Sequence, residues 1–315
     1  MNSTDKIPII YTDSYNIGLL GIENLHPFDT KKYRKVYKHL HTQLGIQKSQ
    51  LHTPELVRDE QLELVHSRTY LDSLRQSEVI ASVAELGPLA MLPAGLLRRN
   101  MLRPMRYAVG GSILGAKLAL QHGWAVNLSG GYHHAKAGNG EGFCFFADIP
   151  MAIHTLWQEE PDLQVLVVDL DAHQGNGIEA IMQNDDRFRM LDVYNDAIYP
   201  NDLAVKAYID YHFPISPYTT DNDYLEIVQQ ALSWALTEKK PDLLIYNAGT
   251  DIYEHDPLGQ LKVSEAGVIQ RDRMVFEMAL AKDTAILMVL SGGYTAESGP
   301  MIGKSLEGIL KDLVT

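Results

Sequence analysis

The sequence predicts a three-layer α/β/α fold with a central, mainly parallel sheet, and three observations predict it. Short, continuous apolar or β-branched runs suit strands covered on both faces. These runs alternate with stretches of helical periodicity, the pattern of helices laid over a sheet. Polar clusters follow directly after several of the runs, at the strand ends where open parallel sheets bind ligands. In chain order, the first strand is expected over Ile7 to Tyr11, and a helix over Arg103 to Gln121. Strand Trp124 to Leu128, helix Ile149 to Gln158, and strands Val165 to Leu170 and Met190 to Tyr194 follow. Helix Asn222 to Thr237, strand Leu243 to Asn247, helix Ser264 to Ala281, strand Ala285 to Leu290 and helix Ser298 to Leu310 complete the pattern.

With 315 residues, 45% of them apolar and 21% charged, the chain can bury a large core. No Ser/Gly/Pro-rich linker divides it, so residues 1–315 are expected to form a single domain. A formal net charge of -13 opposes direct nucleic-acid binding, which needs a concentrated basic face, and suits a cationic substrate or partner. The lone cysteine, Cys144, excludes an intramolecular disulfide and any cysteine-based metal cluster. Any metal must be held by histidine and carboxylate. The N-terminus lacks the basic and apolar regions of an export signal, and no run of about 18 apolar residues occurs, so a soluble, cytoplasmic protein without a membrane span is expected.

The strongest local signal is Val-Val-Asp169-Leu-Asp171-Ala-His173-Gln-Gly-Asn176-Gly. Asp171 and His173 lie two apart at a strand end and point the same way, so they can share one cation; Asp and His together favour zinc or a similar divalent ion. Asp251, in Gly249-Thr250-Asp251 after the Leu243 run, offers a third ligand. Three protein ligands and an open position are what a catalytic zinc needs. Asp169 follows Leu166-Val167-Val168 and should be buried, so it must be paired; it either orients a neighbouring imidazole or binds a second cation. His133 and His134 follow the Gly130-Gly131 pair, and adjacent histidines can divide general-base and electrostatic duties. Tyr294, after Ser291-Gly292-Gly293, would deliver a phenol to a developing oxyanion. The remaining histidines, His66 among them, read as surface or packing residues.

In their order along the chain, Gly130-Gly131-Tyr132-His133-His134, Gly142-Phe143-Cys144, the Asp169 to Gly177 segment, Asn247-Ala-Gly-Thr-Asp251 and Ser291-Gly-Gly-Tyr294 resemble the zinc-dependent histone deacetylase family, of arginase/deacetylase fold. The resemblance runs from about His26-Pro27-Phe28 to Tyr294. It is greatest to class IV, through Leu102-Arg103-Pro104, Asp192-Val-Tyr-Asn195, Ile198-Tyr199-Pro200 and Asn176. The resemblance implies one zinc ion per chain on Asp171, His173 and Asp251, His133 and His134 as the paired histidines with His134 the better general base, and Tyr294 polarising the scissile carbonyl. It further implies that Asp169 supports His133, that Asn176 partners His134, and that Asp169, Asp171, His173, Asp192 and Val193 surround a structural monovalent cation such as potassium. Gly142 and Phe143 would wall the channel that holds the lysine stem. Many members carry Asp at the place of Asn176, and an amide stabilises an imidazolium less than a carboxylate does.

The expected reaction is hydrolysis of an acyl-lysine amide in a protein or peptide, and class IV likeness implies acyl chains longer than acetyl. A deacetylase of small cationic molecules such as acetylpolyamines would use the same chemistry. A catalytically silent acyl-lysine binding module is the alternative from another class, opposed by the retention of every candidate ligand, both histidines and Tyr294. An arginase-like dinuclear site would need carboxylates where Gly175 and Tyr253 stand.

Overall fold

The computed structural model describes residues 6–19, 21–25 and 27–314; His26, at the start of the family resemblance, lies outside the described residues. Among the described residues, seven strands form one sheet: β1 Ile9–Ile10, β2 Trp124–Asn127, β3 Val165–Asp169, β4 Phe188–Asn195, β5 Tyr211–Ile215, β6 Leu243–Asn247 and β7 Ala285–Val289. Their order is β1-β2-β7-β6-β3-β4-β5, and every neighbouring pair runs parallel. All six expected strands are present. The seventh, β5, carries Pro214 and pairs only with β4; a proline that cannot donate to a ladder is tolerated on such an edge, and it hid the strand in the sequence.

Alternation along the buried strands builds two cores, one on each face. Val165, Val167, Leu243, Ile245, Leu287 and Val289 pack with Ile149, Ile153 and Leu156 of the helix Asp148–Glu159. Leu166, Val168, Leu244, Tyr246, Ile286 and Met288 instead join Val228, Val275 and Ile302 from the helices Asp221–Glu238, Glu265–Ala281 and Ser298–Asp312. Each fully buried Val or Leu contributes about 1.5–3 kcal/mol relative to exposure, so the sheet is anchored from both sides. The helix Lys32–Leu44 was not foreseen, because only Lys32, Tyr33, Val36 and Leu40 are buried on an otherwise polar cylinder. It packs along Ser298–Asp312.

Register sets the chemistry in one row. Asn127 pairs with Val289, Val289 with Asn247, Asn247 with Asp169, and Asp169 with Asp192. The carboxyl ends of five adjacent strands therefore open onto one edge.

Candidate active site

Asp169 closes β3, and Asp171 and His173 leave it in the turn that follows. Asp251 arrives from the turn after β6, and suitable ligand atoms of Asp171, His173 and Asp251 all lie within 4.8 Å of one another, fully buried. His173 Nδ1 is 3.0 Å from Asp171 Oδ1 and 2.9 Å from Asp251 Oδ2. The other carboxylate oxygens are fixed: Asp171 Oδ2 accepts from Ser291 Oγ at 2.8 Å and Gly292 N at 2.9 Å, and Asp251 Oδ1 from Ala172 N at 2.8 Å. Any side chain at Gly249 or Gly292 would collide here, since a Cβ would stand 2.3 Å and 2.5 Å, respectively, from Asp171 Oδ2. Burial lowers the proton affinity of His173, but its hydrogen bonds to Asp171 and Asp251 outweigh that and raise it to about 10. Burial and the neighbouring Asp171 push Asp251 up to about 7. One nitrogen and two carboxylates, buried and crowded, are a donor set that would suit a divalent cation of the zinc type.

The turn after β2 is shaped by Gly131, whose φ of +85° and 2.4 Å Cβ clearance to Asn247 Oδ1 exclude other residues. Buried Asp148 caps this turn, accepting from Gly131 N at 3.0 Å and Tyr132 N at 2.8 Å. His133 Nδ1 meets Asp169 Oδ2 at 2.8 Å, while His134 Nδ1 meets Asn176 Oδ1 at 2.9 Å. Their rings lie 4.0 Å apart, centroid to centroid. Burial opposes charge on His133, yet Asp169 and Asp171 raise it to about 9. Burial drives His134 well below the usual histidine range, and the adjoining His133 and His173 push it further. The adjoining rings are thus pushed in opposite directions, His133 toward its charged form and His134 toward its neutral one.

Tyr294 completes the floor of a cavity of about 380 Å³ lined also by His134, His173, Gly142, Phe143, Tyr199, Leu258 and Glu85. Its backbone N donates to Asp256 Oδ2 at 2.7 Å, and the buried ammonium of Lys32 donates to Ser291 O and, at 2.8 Å, to Gly292 O. Burial, then Asp171 and Asp251, hold the phenol well above its ordinary range, so it remains a donor. Phe143 adopts φ +62°, a conformation that costs about 1–3 kcal/mol in a bulky residue; its N–H is held by Val83 O at 3.0 Å. A larger open hollow of about 850 Å³ lies at the opposite strand ends, lined by Glu160, Asp162, Asp242 and Thr284, and holds none of this chemistry.

Asp169 Oδ1 accepts from Asn247 Nδ2 at 2.9 Å and Asp171 N at 3.1 Å. Asp192 Oδ2 accepts from Gly175 N at 2.9 Å, but its Oδ1 is buried without a partner. Val193 follows it on β4, away from the cavity lining. All the sequence-derived site residues therefore gather at one sheet edge, some lining the cavity and the others buried beside it.

Sequence reasoning passed over the residues that hold this floor. Besides Lys32, Asp148 and Asp256, fully buried Arg271 donates through Nη1 to Leu170 O at 3.0 Å and Gly249 O at 2.6 Å, tying the turns of Asp171 and Asp251 together. His66 is a packing histidine: its Nδ1 lies 3.1 Å from Lys136 O, and its Nε2 accepts from Ala147 N at 3.0 Å, bracing the loop that bears Gly142 and Phe143. Each contact joins residues far apart in sequence, so no local motif announces them.

The profile of the histone deacetylase domain matches residues 26–307. The chain is 42% identical over 304 residues to histone deacetylase 2 of Arabidopsis thaliana, covering 96% of this chain and 79% of that protein. The crystal structure of the HDA15 HD domain is similar with a TM-score of 0.78 at 19% identity, covering 99% of this chain and 90% of that one. An acetylpolyamine aminohydrolase from Burkholderia pseudomallei is similar with a TM-score of 0.75 at 18% identity, covering 97% and 98%. At these identities the two structures show a shared fold.

Proposed function

Because the chain belongs to the histone deacetylase family, whose members are zinc-dependent hydrolases, we propose that it hydrolyses the amide bond of acylated lysine in a protein or peptide. The observation that carries this reading is that His134, His173 and Tyr294 line one cavity while buried Asp171 and Asp251 meet His173 beside it. Bound to Asp171, His173 and Asp251, a zinc ion would supply Lewis-acid polarisation of the amide carbonyl and of water. The chain's own groups do the rest. Gly142 and Phe143 flank the lysine stem, and the Tyr294 phenol donates to the carbonyl oxygen as negative charge develops there. His134 takes the proton from the attacking water, while His133, kept cationic by Asp169, stabilises the charge beside it; an imidazolium then protonates the departing lysine amine.

A monovalent cation such as potassium among Asp169, Asp171, His173, Asp192 and Val193 is supported by the unpartnered Asp192 Oδ1. A buried carboxylate oxygen with no donor is costly unless a cation or proton meets it.

Preference for a peptide over a small polycation is supported by the mouth, where Ala197, Ile198, Tyr199, Pro257 and Leu258 present apolar surface. Glu85 is the one observation favouring an acetylpolyamine, since its carboxylate also lines the mouth and would attract a distal ammonium. Comparing kcat/KM for acetyl-lysine and myristoyl-lysine peptides with that for acetylspermidine decides between them. The peptide reading expects a peptide to be preferred; preference for acetylspermidine that Glu85→Ala abolishes would replace it.

A further inference from the structure

His134 must present a bare Nε2 to the cavity if it is to take a proton, and its partner must therefore accept from Nδ1–H. A carboxylate would do so in either orientation. Asn176 does so only one way round, because its amide carries an acceptor on one side and a donor on the other. The wrong orientation would put Nδ2–H against Nδ1, select the Nε2–H tautomer and leave the site without a base.

The far side of the amide resolves the ambiguity. Asn176 Nδ2 donates to Glu141 Oε1 at 2.6 Å. Lys136 Nζ lies 3.2 Å from that same oxygen and 3.1 Å from Asp202 Oδ2, drawing two carboxylates to the donor side of the amide, where Asp202 also interacts with Asn176. A flipped amide would turn its oxygen onto these negative groups. The Asp202 backbone is in turn fixed by Gln174, whose Oε1 accepts from Asp202 N at 2.8 Å. None of Lys136, Glu141 and Asp202 belongs to the motifs that carry the family resemblance, and each is only partly buried.

We propose that Glu141, backed by Asp202 and clamped by Lys136, is a positioning device that locks the Asn176 amide and thereby fixes the proton-accepting tautomer of His134. It takes over an orienting task that a carboxylate at position 176 would not require. The inference rests on the deacylase reading for its kinetic consequence, though not for its structural one.

The test uses Glu141→Ala and the double variant Glu141→Ala/Asp202→Ala, which removes the substitute acceptor, each with and without Asn176→Asp. Loss of a partner of this kind typically costs about 10–100-fold, so the double variant is expected to lose that much in kcat with KM little changed. Asn176→Asp should restore it to within about threefold, because a carboxylate needs no orienting. A merely structural role for the loop predicts no such rescue. Ring 1H–15N correlations of the metal-free protein, assigned with His134→Asn, give a readout independent of turnover: Nδ1–H with bare Nε2 in the natural chain, and a mixture or the reverse in the double variant. An unchanged tautomer, full kcat in the double variant, or failure of Asn176→Asp to restore it would overturn the proposal. If the natural chain cleaves no acyl-lysine, the deacylase reading fails, and the tautomer still decides this one.

Discussion

Tyr294 reaches the cavity on a turn held from two sides, by Asp256 at its own backbone N–H and by Lys32 at the carbonyls of Ser291 and Gly292. Tyr294→Phe keeps the ring, with its edge contacts to Phe28 and His173, and removes only the hydroxyl, so it should spare stability and lower kcat by about 100-fold or more with little change in KM, as loss of an oxyanion donor does. A large rise in KM at constant kcat would assign it to ground-state binding. His66 gives a pH signature. Burial holds it down at about 4 against an ordinary 6.5. The unfolded chain thus takes up a proton first as pH falls, and stability is unaffected above about pH 6.5, then declines until about pH 4, by up to about 3 kcal/mol. Denaturant midpoints of His66→Gln should fall less steeply than those of the natural chain between pH 6.5 and 4.5; parallel slopes would contradict the assignment. At this scale Asp171, His173 and Asp251 were legible because each sits within a few residues of a strand end. Lys32 and Asp148 were not, since their partners are fixed only by folding.

Elements show the same division. The buried parallel strands announce themselves, because both faces are covered and nearly every residue is apolar. Edge strand β5, with Pro214 and two half-buried positions, does not, and neither does Lys32–Leu44 with its narrow apolar stripe. Arg271, on Glu265–Ala281, joins β3 to β6 just past their ends and pairs with Asp272, its Nη2 2.8 Å from Asp272 Oδ1. Arg271→Met takes the counter-charge from that buried carboxylate, which keeps only the hydroxyls of Tyr246 and Ser305 as donors, and frees two carbonyls, so urea denaturation should show a loss of about 3–5 kcal/mol. A loss under about 1 kcal/mol would mean that the two turns hold without it.

For the whole molecule, the parallel sheet gathers at one edge what the sequence scatters over more than 160 residues, from His133 to Tyr294. The cluster of Asp171, His173 and Asp251 forms only in the folded chain, so zinc, if held there as proposed, should stabilise it: at a free concentration a hundred times Kd, about 3 kcal/mol appears as a higher melting temperature. Asp171→Asn/Asp251→Asn should abolish the shift. Among the described residues no helix is long and apolar enough to cross a membrane. We propose this edge as a metal-dependent acyl-lysine hydrolase site. Its most direct test is release of free lysine from acetyl- through myristoyl-lysine peptides by protein that has been chelated and then given back zinc, beside Tyr294→Phe. Turnover should be lost on chelation, regained with zinc and nearly absent in Tyr294→Phe. Zinc-loaded protein that cleaves none of these peptides, or cleaves them equally well after chelation, would contradict it.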